Sequence, residues 1–292
     1  MRILVTGSQG LIGCRLCVEL VSLGHSVREF DLRISPKQDI CDDKALSVYL
    51  DSIDGVIHLA AVSRVAEAEN DPVRCRTVNE IALANMLHIM KHSTSPPWII
   101  FASSREVYGF QETQPVSETA PLRPINVYGM SKRNGERLIQ EARTTLPVAN
   151  IIRFSNVYGA VEDHADRVIP HFAHVAARGG RITIFGGQTQ LDFVHLEDAV
   201  RGVISMLNRT IAGSRLEPIH LVSGKGTTLR DLAGLAQRYS RKPLLPVYKD
   251  ANPGQIGHFV GDPTRAARLL DWTSHIDLET GFSQLVSSYS IT

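Results

Sequence analysis

Residues 1–31 constrain the fold more than any other stretch. Arg2-Ile3-Leu4-Val5-Thr6 is a short apolar, β-branched run, the pattern of a strand buried on both faces. Gly7-Ser8-Gln9-Gly10-Leu11-Ile12-Gly13 follows directly, and Leu11, Ile12, Leu16, Val18, Leu20 and Val21 then recur at roughly helical spacing. Strand, glycine-rich turn and helix thus come in order. Gly7 permits the tight turn, Gly10 lets a pyrophosphate reach the backbone, and Gly13 brings the helix against the strand. Leu11 and Ile12 begin the helix, where backbone N–H groups point at an anion. After a break at Gly24-His25, Ser26 to Phe30 makes a second strand ending in Asp31, eighteen residues past Gly13. A carboxylate there grips a ribose diol and repels the extra phosphate of NADP, so NAD is the expected cofactor; Arg33, two residues on, leaves room for NADP. Three spaced glycines alone mark an ordinary tight turn. It is the order strand, turn, helix, strand, acid that reads as a dinucleotide site.

At 292 residues the chain is long enough for one large domain or two unequal ones. A formal net charge of +1, with no basic tract, gives no reason to expect nucleic acid or an anionic membrane surface as partner. No apolar run is long enough to span a bilayer. The first strand starts at Arg2, which is read as leaving no room for a signal peptide. The four cysteines (Cys14, Cys17, Cys41, Cys75) lack metal-site spacing, so no metal is expected, and they read as reduced thiols of a cytoplasmic protein.

Strands and helices keep alternating. Asp39-Ile40 is expected to close a third strand, its Asp reaching an adenine amine or else capping a helix. Gly55 to Ala61 makes a fourth, ending in Leu59-Ala60-Ala61, small enough for a cofactor to lie against the backbone; His58 within it reads as a satisfied core histidine. A helix from Asp71-Pro72 carries Asn79, counted here with the cofactor-binding residues. Trp98 to Ala102 leads a fifth strand into Ser103-Ser104, and Ala149 to Phe154 is a sixth. The expected fold is α/β: a doubly wound parallel sheet (Rossmann) with a smaller C-terminal substrate-binding lobe. The expected boundaries are 1–160 for the NAD-binding domain, rejoined by part of 192–222, and 161–292 for the lobe. In that second part the pattern predicts a helix and then a strand across 168–187, the strand at 181–185, further helices over 196–207 and 228–239, and strands at 192–195 and 218–222.

The chemistry lies between the fifth and sixth strands. Tyr128-Gly129-Met130-Ser131-Lys132 puts Tyr128 and Lys132 four residues apart, on one face of a helix. A cation about 5 Å from a phenol, at an effective dielectric near 20, favours the phenolate by roughly 3 kcal/mol, or about two pKa units. Lys132 can also hold the nicotinamide ribose. Ser104, at a strand end, can share a substrate hydroxyl with Tyr128 and stabilise the oxyanion formed as hydride leaves.

Gly7-x-x-Gly10-x-x-Gly13, His58-Leu59-Ala60-Ala61, Ser103-Ser104-x-x-Val107-Tyr108-Gly109, Tyr128-x-x-x-Lys132 and Arg153-x-x-Asn156-x-Tyr158-Gly159 together resemble the extended short-chain dehydrogenases/reductases. More closely, they resemble the NAD-dependent nucleotide-sugar epimerase/dehydratase group, over nearly the whole chain. The resemblance implies that Tyr128 takes a proton from a sugar hydroxyl while hydride passes to NAD. It also implies a homodimer built on two helices, substrate contacts at Asn156, and an apolar wall at Val168-Ile169-Pro170 against a substrate base. Sugar dehydratases of this kind often carry an acid pair after the Ser/Thr. Here Glu106 matches the second acid and Arg105 replaces the first, so Glu106 is either a base beside the new carbonyl or a structural carboxylate paired with Arg105.

Two positions depart from the resemblance. Where nucleotide-sugar members usually place arginines that clasp the diphosphate, this chain has Leu191 and Asn252. Leu cannot replace an Arg fork on a diphosphate. Arg64 and Arg105 are then candidates to hold an acidic or phosphorylated sugar, or are surface arginines. The expected activity is a redox-neutral epimerase of a nucleotide-linked or related sugar. The alternatives are a dehydratase using Glu106, or a dehydrogenase or ketoreductase of a small hydroxylated substrate without diphosphate. A regulatory NAD-binding protein comes last, since a sensor need not keep Ser104, Tyr128 and Lys132.

Overall fold

The computed structural model describes residues 1–250 and 258–291. They form two compact units: Met1–Gly109 with Pro121–Phe154 and Val200–His220, and Phe110–Ala120 with Ser155–Ala199 and Leu221–Thr292.

The first unit opens with β1 (Arg2–Thr6), α1 (Leu11–Ser22) and β2 (Ser26–Phe30), followed by α2 (Asp43–Leu50) and β3 (Gly55–His58). Two short helices, α3 (Val65–Asn70) and α4 (Pro72–Arg76), lead through a π-helical turn at Thr77–Ile81 into α5 (Ala82–Lys91). Then come β4 (Trp98–Ser104), a 3-10 turn at Arg105–Val107, α6 (Val127–Ala142) and β5 (Ala149–Phe154). The sheet has the order β2-β1-β3-β4-β5, completed by a strand at Ile219–Leu221. β2 through β5 run parallel, as expected for a doubly wound fold. Ile3, Leu4, Val5, Val56, Ile57, Ile99 and Ile100 are at most 1% exposed, which is why these strands read as continuous apolar runs. Leu83, Met86, Leu87 and Met90 of α5 and Ile139 of α6 cover one face. All carboxyl ends of these parallel strands point to one edge, where such folds hold ligands.

The strand expected at Asp39-Ile40 does not form. Asp39 Oδ1 accepts from the Cys41 backbone N–H at 2.9 Å, a local turn that competes with any ladder. The helix cap is Asp42, whose side chain accepts from Lys44 and Ala45. Asp39 is therefore neither a strand end nor the cap, and β3 is the sheet's third strand in sequence. The single helix expected from Pro72 is also broken, by the π turn that contains Asn79.

In the second unit, β6 (Asn156–Tyr158) precedes α7 (Val168–Arg178), β7 (Gly180–Phe185) and β8 (Gln190–His195). α8 (Leu196–Ile211) runs from this unit into the first, and β9 is the strand at Ile219–Leu221. β10 (Gly226–Thr228), α9 (Leu229–Tyr239), β11 (Leu244–Lys249), β12 (His258–Phe259), α10 (Thr264–Leu270) and α11 (Leu278–Ile291) complete the chain. β8 is central: β6 and β12 pair with it in parallel and β10 antiparallel. Asp192 holds this sheet to the following loops, accepting from the Ser223 N–H and hydroxyl, both 2.8 Å, and from the Gly224 N–H at 3.0 Å. Burial raises its carboxyl to about 6, against the pull of those donors.

Candidate active site

The glycine turn closes as its spacing implies. Gly7 has φ of 70°, and a Cβ there would lie 2.7 Å from the Ala60 nitrogen. A Cβ on Gly13 would lie 2.2 Å from the Gly7 carbonyl oxygen. These two positions weld β1, α1 and the segment after β3 together. Gly10 differs: its nearest neighbour would be 3.2 Å away, and it caps α1 without a side-chain bond. The N–H groups of Leu11, Ile12 and Gly13 are the first-turn donors that a twelve-residue α-helix leaves without an acceptor of its own. Ser8 Oγ, beside them, is buried with no hydrogen-bond partner among the described residues. Bare backbone, first-turn donors and an orphaned hydroxyl suit a pyrophosphate.

Asp31 directly follows β2 beside this turn, accepting from the N–H groups of Gln9 (3.0 Å) and Arg33 (2.8 Å). The Arg33 guanidinium folds back onto the Gln9 carbonyl at 2.8 Å. Across the turn, the Leu59 N–H donates to Thr6 O at 3.0 Å, and Ala60 and Ala61 are half-buried. Ile40 packs its side chain into the core. His58 donates or accepts at Thr6 Oγ1 (2.7 Å) and stacks on Phe101; burial, then the nearby Lys132 charge, pushes it down to about 3. It is a neutral core residue, as its apolar setting implied.

Asn79 is fully buried, and its amide is spent on the protein. Oδ1 accepts from Val62 N (2.8 Å), while Nδ2 donates to Val62 O (3.0 Å) and Ser131 Oγ (2.9 Å). It ties the segment after β3 to α6, a contact that the π turn makes reachable.

Tyr128 and Lys132 lie on the buried face of α6, 9% and 4% exposed. Lys132 Nζ sits 5.9 Å from the Tyr128 ring centroid and 5.0 Å from that of Phe101, and donates to Ala102 O at 2.8 Å. Burial lowers the ammonium from 10.5 to about 8, with Cys75 and Glu136 opposing the shift. Ser104, also buried, ends β4 and caps the following turn, accepting from Glu106 N at 3.2 Å. Glu106 is held at both oxygens: Oε1 pairs with Arg105 at 2.8 Å, and Oε2 accepts from Asn126 Nδ2 at 2.8 Å. Asn126 is in turn the cap of α6, accepting from Gly129 N at 2.7 Å. A Cβ on Gly129 would meet the Glu106 carbonyl at 2.6 Å, so α6 starts flush against the turn after Ser104. Asn126 was legible as an N-cap three residues before Gly129; its grip on Glu106 was not.

Arg64, at the start of α3, pairs with Glu67 at 3.2 Å. Asn156 and Val168 belong to the second unit. Asn156 Nδ2 donates to Asp192 O at 2.8 Å, and Val168 begins α7, packed on the core cluster that includes Leu191. Leu191 is 6% exposed. Asn252 lies outside the described residues.

Residues 3–219 match the model of the NAD dependent epimerase/dehydratase family. The chain belongs to this family. Its members are enzymes of the short-chain dehydrogenase/reductase superfamily with NAD as cofactor, which the turn at Gly7–Gly13 and the acid at Asp31 fit. As a family member the chain is similar to the UDP-glucose 4-epimerase of Bacillus subtilis, 28% identical, the alignment covering 96% of this chain and 94% of that one. The putative UDP-glucose 4-epimerase of Methanocaldococcus jannaschii is 27% identical, with 98% and 97% covered. Among solved structures, UDP-glucose 4-epimerase from Thermotoga maritima with UDP-glucose superposes at a TM-score of 0.87, with 26% identity over 99% of this chain and 98% of that one. MoeE5 in complex with UDP-glucuronic acid and NAD gives 0.87 and 25%, covering 98% of each chain.

Proposed function

We propose that this family member is an epimerase of a nucleotide-linked sugar, with Tyr128 as the base that takes the proton of a ring hydroxyl. The observation that carries the reading is the buried pair on α6, with Lys132 Nζ 5.9 Å from the Tyr128 ring and Ser104 at the adjoining strand end. Gly7, Gly10, Leu11, Ile12, Gly13, Asp31 and the backbone of Leu59-Ala60-Ala61 would hold NAD, which supplies a two-way hydride acceptor when bound. Lys132, as an ammonium, favours the phenolate of Tyr128, and Ser104 donates to the substrate oxygen as charge builds there. Returning the same proton from Tyr128 at the end of the cycle leaves the enzyme unchanged, as a redox-neutral epimerisation needs.

Glu106 decides between this reading and a dehydratase. Arg105 holds one Glu106 oxygen and Asn126 the other, an arrangement that supports a structural role for the carboxylate at the start of α6 over that of a base. We assign it to positioning the start of α6. UDP-sugars such as UDP-glucose and UDP-glucuronic acid, bound by similar proteins, are the first substrates to try. Because Leu191 is packed in the core, their diphosphate would be gripped by other groups than an arginine at that position. We also propose a cytoplasmic homodimer built on two helices, α4 and α6, where Val73 and Met130 are exposed apolar residues; sedimentation equilibrium reads the stoichiometry, and a monomer removes the idea.

The deciding experiment follows a panel of UDP-sugars by proton NMR while absorbance monitors reduced nicotinamide. Interconversion of two stereoisomers without net reduction is expected, with Glu106→Gln keeping turnover within about tenfold. Loss of water from the sugar, abolished by Glu106→Gln, would establish the dehydratase; stoichiometric reduction would establish a dehydrogenase.

A further inference from the structure

Directly behind the site, five side chains form a fully buried polar chain that the chemistry above does not use. Ser103 Oγ donates to Glu136 Oε1 at 2.5 Å. Arg153 from β5 meets the same carboxylate with two prongs, Nε to Oε1 at 2.8 Å and a terminal nitrogen to Oε2 at 2.7 Å. Its other terminal nitrogen donates to Tyr108 Oη at 3.0 Å, with the guanidinium 5.0 Å from that ring's centroid, and Tyr108 Oη meets His220 Nδ1 at 3.1 Å. Glu136 and Arg153 are 1% and 3% exposed. Apolar residues of similar size usually serve a core at least as well as a buried ion pair, so stability alone does not explain it.

Its position does. Glu136 lies one helical turn beyond Lys132 on the same face of α6, and through Ser103 it grips the residue next to Ser104. We propose that Glu136, fixed by Arg153, is a positioning residue for this site, anchoring the end of β4 and keeping Lys132 charged beside Tyr128. The groups facing Lys132 are Tyr128 and Glu136 on its own helix, Phe101 and the Ala102 carbonyl on β4, His58 on β3 and Cys75 on α4. His58 is neutral and burial raises the Cys75 thiol, leaving Glu136 as the carboxylate among them. Removing its charge would leave Arg153 unbalanced and make the ammonium harder to keep. The catalytic consequence rests on the reading of Tyr128 as base; the electrostatic part does not.

The test is NMR titration of carbon-labelled lysine side chains without substrate, with Lys132→Met assigning the signal, run beside kcat–pH profiles. In Glu136→Gln the Lys132 midpoint should fall from about 8 by roughly one unit or more at an effective dielectric near 20, and the alkaline limb of kcat should move down equally while KM holds. The double variant Glu136→Gln/Arg153→Met leaves no orphaned charge; its midpoint should fall in the same direction by less, and it carries the test alone if the single variant does not fold. A native midpoint in the folded double variant overturns the proposal, as does a lowered kcat with an unmoved pH profile. If the midpoint moves as expected while Tyr128→Phe still turns over, the electrostatic role stands and the assignment of the base falls.

Discussion

Lys132 shows most plainly how a single residue is kept against its own stability. An ammonium that titrates at about 8 in the fold and at 10.5 as a free side chain costs about 3 kcal/mol at neutral pH. The sign follows from proton counting. Between pH 8 and 10.5 the unfolded chain binds more protons at this position than the folded one, so stability rises with pH across that window. Denaturant unfolding of the native protein and of Lys132→Met, without cofactor, should therefore diverge: the native protein should gain about 3 kcal/mol relative to the variant between pH 7 and 10.5. Parallel curves would mean that Lys132 is not held as a buried cation. The Tyr-x-x-x-Lys spacing was enough to put both side chains on one helix face. Their burial was not visible in it; the Arg105–Glu106 pair was one of two readings, but the hold of Asn126 on Glu106 was not visible, because that depends on where Gly129 lets α6 begin.

At the scale of elements, β1, the glycine turn and α1 behave as one rigid piece. A Cβ at Gly13 would strike the Gly7 carbonyl, backbone on both sides and nothing flexible to yield. Gly13→Ala should push α1 off the strand and misalign the first-turn donors; calorimetric titration should show NAD affinity down by at least about tenfold. Unchanged affinity would contradict the assignment of that turn. The same strand–turn–helix order was legible because each part has its own period and its own special residue. Asp39-Ile40, expected as a strand, forms none because the polar Asp-x-Cys-Asp-Asp run satisfies its own backbone locally. The π turn at Thr77–Ile81 has no sequence mark, since it exists to bring Asn79 to Val62 and Ser131. Strands β6, β10 and β12, of two or three residues each, owe their existence to pairing with β8, which no local pattern records.

For the whole molecule, the long-range pairings that assemble each unit were the least readable feature. α8 begins in one unit and ends in the other, and β9 joins the first sheet after a gap from β5 of more than sixty residues. The motifs nonetheless reach the same strand ends, because a parallel sheet delivers its glycine turn, Leu59-Ala60-Ala61, Ser104 and the start of α6 to one edge regardless of what intervenes. In the proposed reading, cofactor grip and proton transfer are separable properties of the first unit. The most direct check is Tyr128→Phe, with NAD affinity and UDP-sugar interconversion measured on the same sample. The account expects native NAD binding and turnover lowered at least about a hundredfold; turnover within a few-fold of native would contradict it.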